Sequence, residues 1–174
     1  IAVFTSECLK EHTGPGGSVP DEVNGACIML DELGYQLDIV DDRSELAGYK
    51  VLILPDTILC NTGLSEKIKG FIANGGKVIA SYKSGLSFSE EEFAIEELGV
   101  HYLGETSLCP DFIMPTEQIG KALPKTEHVM YYKGAQVEAV AGTVLAETCI
   151  PYFNRTWEHF CSHRLTPSSH KKGS

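Results

Sequence analysis

Residues able to do chemistry gather in two stretches of the 174-residue chain. The first is Arg155-Thr156-Trp157-Glu158-His159-Phe160-Cys161-Ser162-His163-Arg164, which brings the only tryptophan together with two histidines, an acid and two arginines. His159 and His163 stand four apart, a spacing that sets two imidazoles on one helical face as metal ligands need. Trp157 could stack on a sugar ring while Arg155 or Glu158 bonds its hydroxyls. No third ligand accompanies the histidines, so no metal is assigned. The reading given more weight is that Trp157 and Phe160 fill a core edge, or that the stretch is an interface, with its polar side chains in buried or inter-subunit hydrogen bonds. The second stretch is Tyr82-Lys83-Ser84-Gly85, a strand-to-helix turn, with Pro55-Asp56 at a neighbouring strand end. Loops there are exposed, and helix N-termini favour negative charge. Lys83 in that turn is either an activated amine or anion anchor or, more simply, an exposed loop lysine.

Other candidates are weaker. Cys60 and Cys109 are the thiols nearest the loop face, but neither stands in the turn. Glycoside hydrolysis needs two carboxylates facing across a cleft, and no acidic pair is singled out by its context. Glu90-Glu91-Glu92 reads as a charge cluster at a helix N-terminus, and Asn154-Arg155-Thr156 as a chance glycosylation sequon. No catalytic residue and no cofactor is assigned.

With 24 acidic against 14 basic side chains, the chain carries a formal charge of -10. Such a surface disfavours nucleic acid, and no apolar run reaches the roughly 20 residues of a membrane span. The six cysteines are scattered singly, without the paired knuckles of a zinc ribbon. Their apolar surroundings fit reduced thiols and so a reducing compartment, the cytoplasm. Opening at Ile1 with no initiator methionine and no leader-like segment, the sequence reads as a fragment or a processed form.

The elements that position these residues alternate through about residue 103. Strands are expected near 1–4, 35–40, 50–55, 77–82 and 100–103. A Gly/Pro-rich loop at 13–17 precedes a helix from Pro20 to Leu33 that Gly34 closes, and a second helix runs over 64–73. A third helix is expected over 89–98. The unbroken apolar run Val51-Leu52-Ile53-Leu54 suits a parallel strand covered on both faces. The pattern therefore predicts an α/β fold: a flavodoxin-like, doubly wound, mostly parallel sheet with helices on both faces. Beyond it, strands over 111–115, 129–132, 136–140 and 143–150 predict an antiparallel C-terminal extension. One domain over 1–165 and a polar, frayed tail over 166–174 complete the reading.

At the strand ends the residues resemble the class I glutamine amidotransferase-like family, in which one strand ends in a hydrophobic-Leu-Pro turn and another enters a Cys-x-Gly nucleophile elbow. Leu52-Ile53-Leu54-Pro55-Asp56 is similar to the first and Ile79-Ala80-Ser81-Tyr82-Lys83-Ser84-Gly85 to the second. With Gly85 as the elbow glycine, Lys83 occupies the cysteine position, a departure that argues against glutaminase chemistry. Element order and the block 151–164 more narrowly resemble the trimerisation domain of β-galactosidases and the corresponding domain of α-fucosidase-like glycoside hydrolases. The resemblance implies a non-catalytic accessory domain that serves assembly and shapes a neighbouring carbohydrate site. Its expected partners are a glycoside hydrolase catalytic domain, further copies of itself as a homo-oligomer, and carbohydrate. Two alternatives are a stand-alone hydrolase or lyase using a cysteine or Lys83, and a sensor of sugars or anions.

Overall fold

A computed structural model describes residues 1–9, 19–159 and 166–173. The expected loop at 13–17 lies outside them. The chain divides into two compact units, Ile1–Leu98 and Gly99–Ser174, where the sequence had predicted one domain over 1–165. The break falls where alternating strands and helices give way to short antiparallel strands.

The first unit holds β1 (Ala2–Phe4), α1 (Asp21–Glu32), β2 (Asp38–Val40), β3 (Val51–Leu54), α2 (Thr62–Ala73) and β4 (Lys77–Ala80). The sheet order is β2-β1-β3-β4 and every pairing is parallel. Strand alternation decides which side chains meet which helix. Ala2, Phe4, Leu52 and Leu54 point to the face where Leu64, Ile68 and Phe71 of α2 complete a core with Ile58 and Ile95. Val3 points to the opposite face, under Val23, Ala26 and Leu30 of α1, with Ile53 packed against them. Thus α1 and α2 cover opposite faces of the sheet.

Local signals set the helix ends. Pro20 stands at the N-cap of α1, and Gly34 takes φ of 73° just beyond it. α2 starts two residues before the sequence reading placed it, because Asn61 caps it by accepting the Leu64 N–H at 2.9 Å. The helix expected over 89–98 is absent except for a 3-10 turn at Glu96–Leu98. There the chain doubles back instead: Leu86 bridges Phe93, the Ser87 N–H donates to the Glu92 carbonyl, and Glu90 takes φ of 57°. The acidic triplet forms the tip of that turn rather than facing a helix dipole.

The second unit contains the expected antiparallel extension and also takes the strand expected over 100–103, which pairs antiparallel here instead of joining the parallel sheet. β5 (Val100–Glu105) pairs with β8 (Ala135–Ala139). A four-stranded sheet runs β10-β9-β6-β7, built from β6 (Asp111–Pro115), β7 (His128–Met130), β9 (Ala146–Pro151) and β10 (Ser168–Lys172), with the short α3 (Glu117–Gly120) following β6. The predicted frayed tail is instead the edge strand β10. Ser168 and Lys172 pair with Pro151 and Cys149 across a bulge, Thr166 is buried, and Lys172 and His170 meet Glu147 and Glu127 at 2.6 Å. Backbone pairing and these two contacts order a segment whose polar composition alone reads as frayed.

Candidate functional site

The ends of β3 and β4 form one corner of the first unit. Three residues other than glycine adopt left-handed backbone there: Asp56 (φ 44°), Tyr82 (φ 51°) and Glu90 (φ 57°). Such strain persists only where neighbouring contacts enforce it. The enforcing bonds join the turn after β3 to the turn after β4. The Lys83 N–H donates to the Asp56 carbonyl at 2.9 Å and the Gly85 N–H to the Ile58 carbonyl at 2.9 Å. Ser81 Oγ donates to Asp56 Oδ1 at 2.7 Å while accepting from the Asp56 N–H at 3.0 Å. Ser84, fully buried, accepts the Ile58 N–H at 3.1 Å.

This wiring redefines the residues of the turn. The residue with the strained backbone that a nucleophile elbow requires is Tyr82, one before Lys83. Lys83 is not an exposed loop lysine: its side chain is 22% exposed, and Nζ meets Glu90 Oε2 at 2.6 Å and lies 5.6 Å from the Tyr82 ring centroid. Ser84 is a buried brace. Gly85 has φ of 92°, and a Cβ there would come within 2.8 Å of Leu98 Cδ1, so its position serves both conformation and packing. Cys60, buried beside the turn, has its thiol pushed up to about 11 by burial, which removes the thiolate needed for attack. The corner therefore holds a structural clasp, with the Ser81 hydroxyl bonded to the Asp56 carboxylate, the Lys83 ammonium to the Glu90 carboxylate and the Ser84 hydroxyl to a backbone N–H.

The second candidate lies in the other unit. Asn154, read as part of a sequon, is a clamp: its Oδ1 accepts the Cys109 N–H at 3.0 Å and its Nδ2 donates to the Ser107 carbonyl at 2.8 Å. The Arg155 N–H adds a bond to the Cys109 carbonyl at 2.9 Å. The peptide between Cys109 and Pro110 is cis. Trp157 is 91% exposed, which overturns the expectation that it fills a core edge. Beside it the His159 N–H donates to Thr156 Oγ1, and the His159 ring lies 5.3 Å from Phe153. The Glu158 carboxyl is held below its usual range by its own backbone N–H and by the Thr156 hydroxyl. Residues 154–159 are irregular backbone and bends rather than helix, so the one-face premise for His159 and His163 lacks its helix over this part; His163, with Phe160, Cys161 and Arg164, lies outside the described residues. Among the described residues, no group of three or more His, Cys, Asp or Glu could hold a metal ion. The five described cysteines are free thiols, and no described helix is long and apolar enough to cross a membrane.

Sequence reasoning overlooked the tyrosines. Tyr131 and Tyr132 follow β7 and Tyr152 follows β9, and all three are exposed. The doublet Tyr131-Tyr132 before Lys133-Gly134 was the available signal, masked because two adjacent aromatics also suit a strand.

Comparison with known proteins places both candidates in context. Residues 28–139, more than half of the chain, match the family described as the β-galactosidase trimerisation domain. Over 81 residues the chain is 32% identical to β-galactosidase BglY of Alicyclobacillus acidocaldarius, a match covering 45% of this chain and 12% of that enzyme. The structure of α-L-fucosidase isoenzyme 2 from Paenibacillus thiaminolyticus superposes with a TM-score of 0.87 at 37% identity, over 99% of this chain and 26% of that one. A β-galactosidase from Rahnella sp. R3 shares the fold, with a TM-score of 0.67 at 19% identity over 84% of this chain and 24% of that one. The chain thus spans about a quarter of the solved enzymes it resembles and far less of the curated one. On its matched residues and its fold, the chain belongs to the β-galactosidase trimerisation domain family.

Proposed function

We propose that the chain is a non-catalytic accessory domain of a larger glycoside hydrolase of the β-galactosidase or α-fucosidase-like kind. It would be joined to a catalytic domain and hold copies of the enzyme together as a homo-oligomer in the cytoplasm, with the block 151–164 helping to wall a neighbouring carbohydrate site. The observation that carries this reading is the clasp at the strand ends. Where an amidotransferase-like enzyme would present a nucleophile, Tyr82 holds the strained position, Lys83 is paired with Glu90 and Ser84 is spent on a backbone bond. The order β2-β1-β3-β4 and the helices on opposite faces support reading the first unit as a flavodoxin-like, doubly wound, amidotransferase-like fold that has lost its chemistry. A stand-alone thiol hydrolase is disfavoured by the raised Cys60 thiol.

Assembly needs an apolar surface, and α1 offers one. Val23, Ala26 and Leu30 face the sheet, while Ile28 and Met29 are exposed on the same helix, with Leu33 exposed at its C-cap and Tyr35 just beyond. Exposed patches of this kind mark protein interfaces. Placing charges there in the parent enzyme, as Met29→Asp with Leu33→Asp, should lower its mass by light scattering while leaving the domain folded. An unchanged mass would remove this face from the assembly.

A further inference from the structure

The end of the four-stranded sheet around Cys109 and Asp111 gathers exposed rings from two sides. Asp111 of β6 pairs with Met130, the last residue of β7, so Tyr131 and Tyr132 leave the sheet on one side of it. On the other side Phe112 pairs with Cys149 of β9, so Tyr152 leaves at the same end. Strands two apart in a sheet stand about 10 Å from each other, close to the span of a disaccharide. Both flanks fold back onto the segment before β6. The Thr106 N–H donates to the Gly134 carbonyl at 3.0 Å, and Asn154 and Arg155 grip Ser107 and Cys109 at 2.8–3.0 Å. The clamp therefore carries Trp157 to the same place.

Aromatic rings dominate the exposed surface of this end. Its exposed large side chains are Trp157 (91%), Tyr132 (88%), Tyr131 (69%) and Tyr152 (66%), all rings with a polar edge, together with Met130 (44%). The exposed Ile, Met and Leu of α1 lie elsewhere in the chain. Flat rings with polar rims, set among Glu158, His159 and Thr156, match the apolar C–H faces and equatorial hydroxyls of a pyranose. A formal charge of -10 does not oppose a neutral ligand.

We propose that this end of the sheet is a saccharide-binding site, which takes the pyranose rings of a neutral glycan against Trp157 and the tyrosines while Glu158 and His159 bond its hydroxyls. The site acts by adsorption, with no bond made or broken. It rests on the carbohydrate-facing part of the proposed function and not on the assembly role, since binding is read on this chain alone and assembly on the parent enzyme.

The test is saturation-transfer NMR of the 174-residue chain with lactose, and with a sulfated disaccharide as an anionic control. Transfer to the lactose ring protons is expected, saturating in the millimolar range typical of small exposed sites. Trp157→Ala should abolish it, and Tyr132→Ala should weaken it about fivefold. Both side chains are almost wholly exposed, so circular dichroism of the variants should match the parent chain. Absence of transfer to lactose up to about 50 mM, equal transfer to the sulfated disaccharide, or transfer that survives Trp157→Ala would overturn the site. A change in the chain's sedimentation coefficient caused by either variant without sugar would overturn it too, by making the rings a subunit contact.

Discussion

Ser84→Ala tests whether the turn after β4 is a clasp. The Ser84 hydroxyl accepts the Ile58 N–H at 3.1 Å in a bond buried from water, and Ile58 is itself fully buried. Alanine leaves that N–H with neither serine nor solvent, and an orphaned buried donor costs about 1–3 kcal/mol. With a urea dependence of about 2 kcal/mol/M for a unit of this size, a loss near 2 kcal/mol moves the unfolding midpoint down by about 1 M. The signal should be circular dichroism at 222 nm, which follows α1 and α2; Trp157 fluorescence reports on the other unit. Ser81→Ala is the control. Ser81 also binds a backbone N–H, that of Asp56, but at an exposed position, where water can replace the lost partner. A Ser84→Ala shift no larger than the Ser81→Ala shift would refute the brace.

Two further outcomes follow from the second unit. Burial pushes the Asp111 carboxyl up from its ordinary value, against a smaller opposing effect of the Phe112 N–H. A raised carboxyl withdraws stability as pH climbs from the unfolded value of about 3.9 through the folded one. Asp111→Asn, whose amide oxygen can still accept from Phe112, should therefore match the parent chain in urea midpoint near pH 3 and gain on it by pH 7; a constant difference across that range would contradict the burial effect. Thr166, 1% exposed, has a hydroxyl without a hydrogen-bond partner among the described residues. Thr166→Val should raise the melting temperature by about 2–4 °C, corresponding to roughly 1 kcal/mol of relieved desolvation in a chain of this length; a fall would show that the hydroxyl is bonded.

The fold of the first unit was legible where the physics is local. An apolar run, two helical stripes and Gly34 suffice to place β3, α1 and α2, because burial on one face or two imposes its own period. The 89–98 segment was misread because Glu90-Glu91-Glu92 carries the same composition at a turn tip as at a helix start; the pairing of Leu86 with Phe93 and of Glu90 with Lys83 decides between them. β10 was illegible for a related reason. Its order comes from pairing with β9 and from partners at Glu127 and Glu147, distant in sequence.

Site residues followed the same division. The sequence placed a turn at Lys83-Ser84-Gly85, and Gly85 has a φ of 92° that leaves few substitutes. The strained Tyr82 was missed by one position, because strain depends on how the turn is held by Asp56 and Ile58. For Trp157 the sequence left a core edge, an interface and a sugar-facing position open, and its 91% exposure removes the first. No sequence rule anticipates a clamp whose two ends lie 45 and 47 residues apart.

The central claim is assembly without catalysis, and mass photometry of the parent glycoside hydrolase with and without this domain tests it most directly. The account predicts that the intact enzyme is a homo-oligomer and that removing the domain lowers its order while the remainder of the enzyme stays folded. An unchanged oligomer on removal, or hydrolytic turnover by this chain on its own, would contradict it.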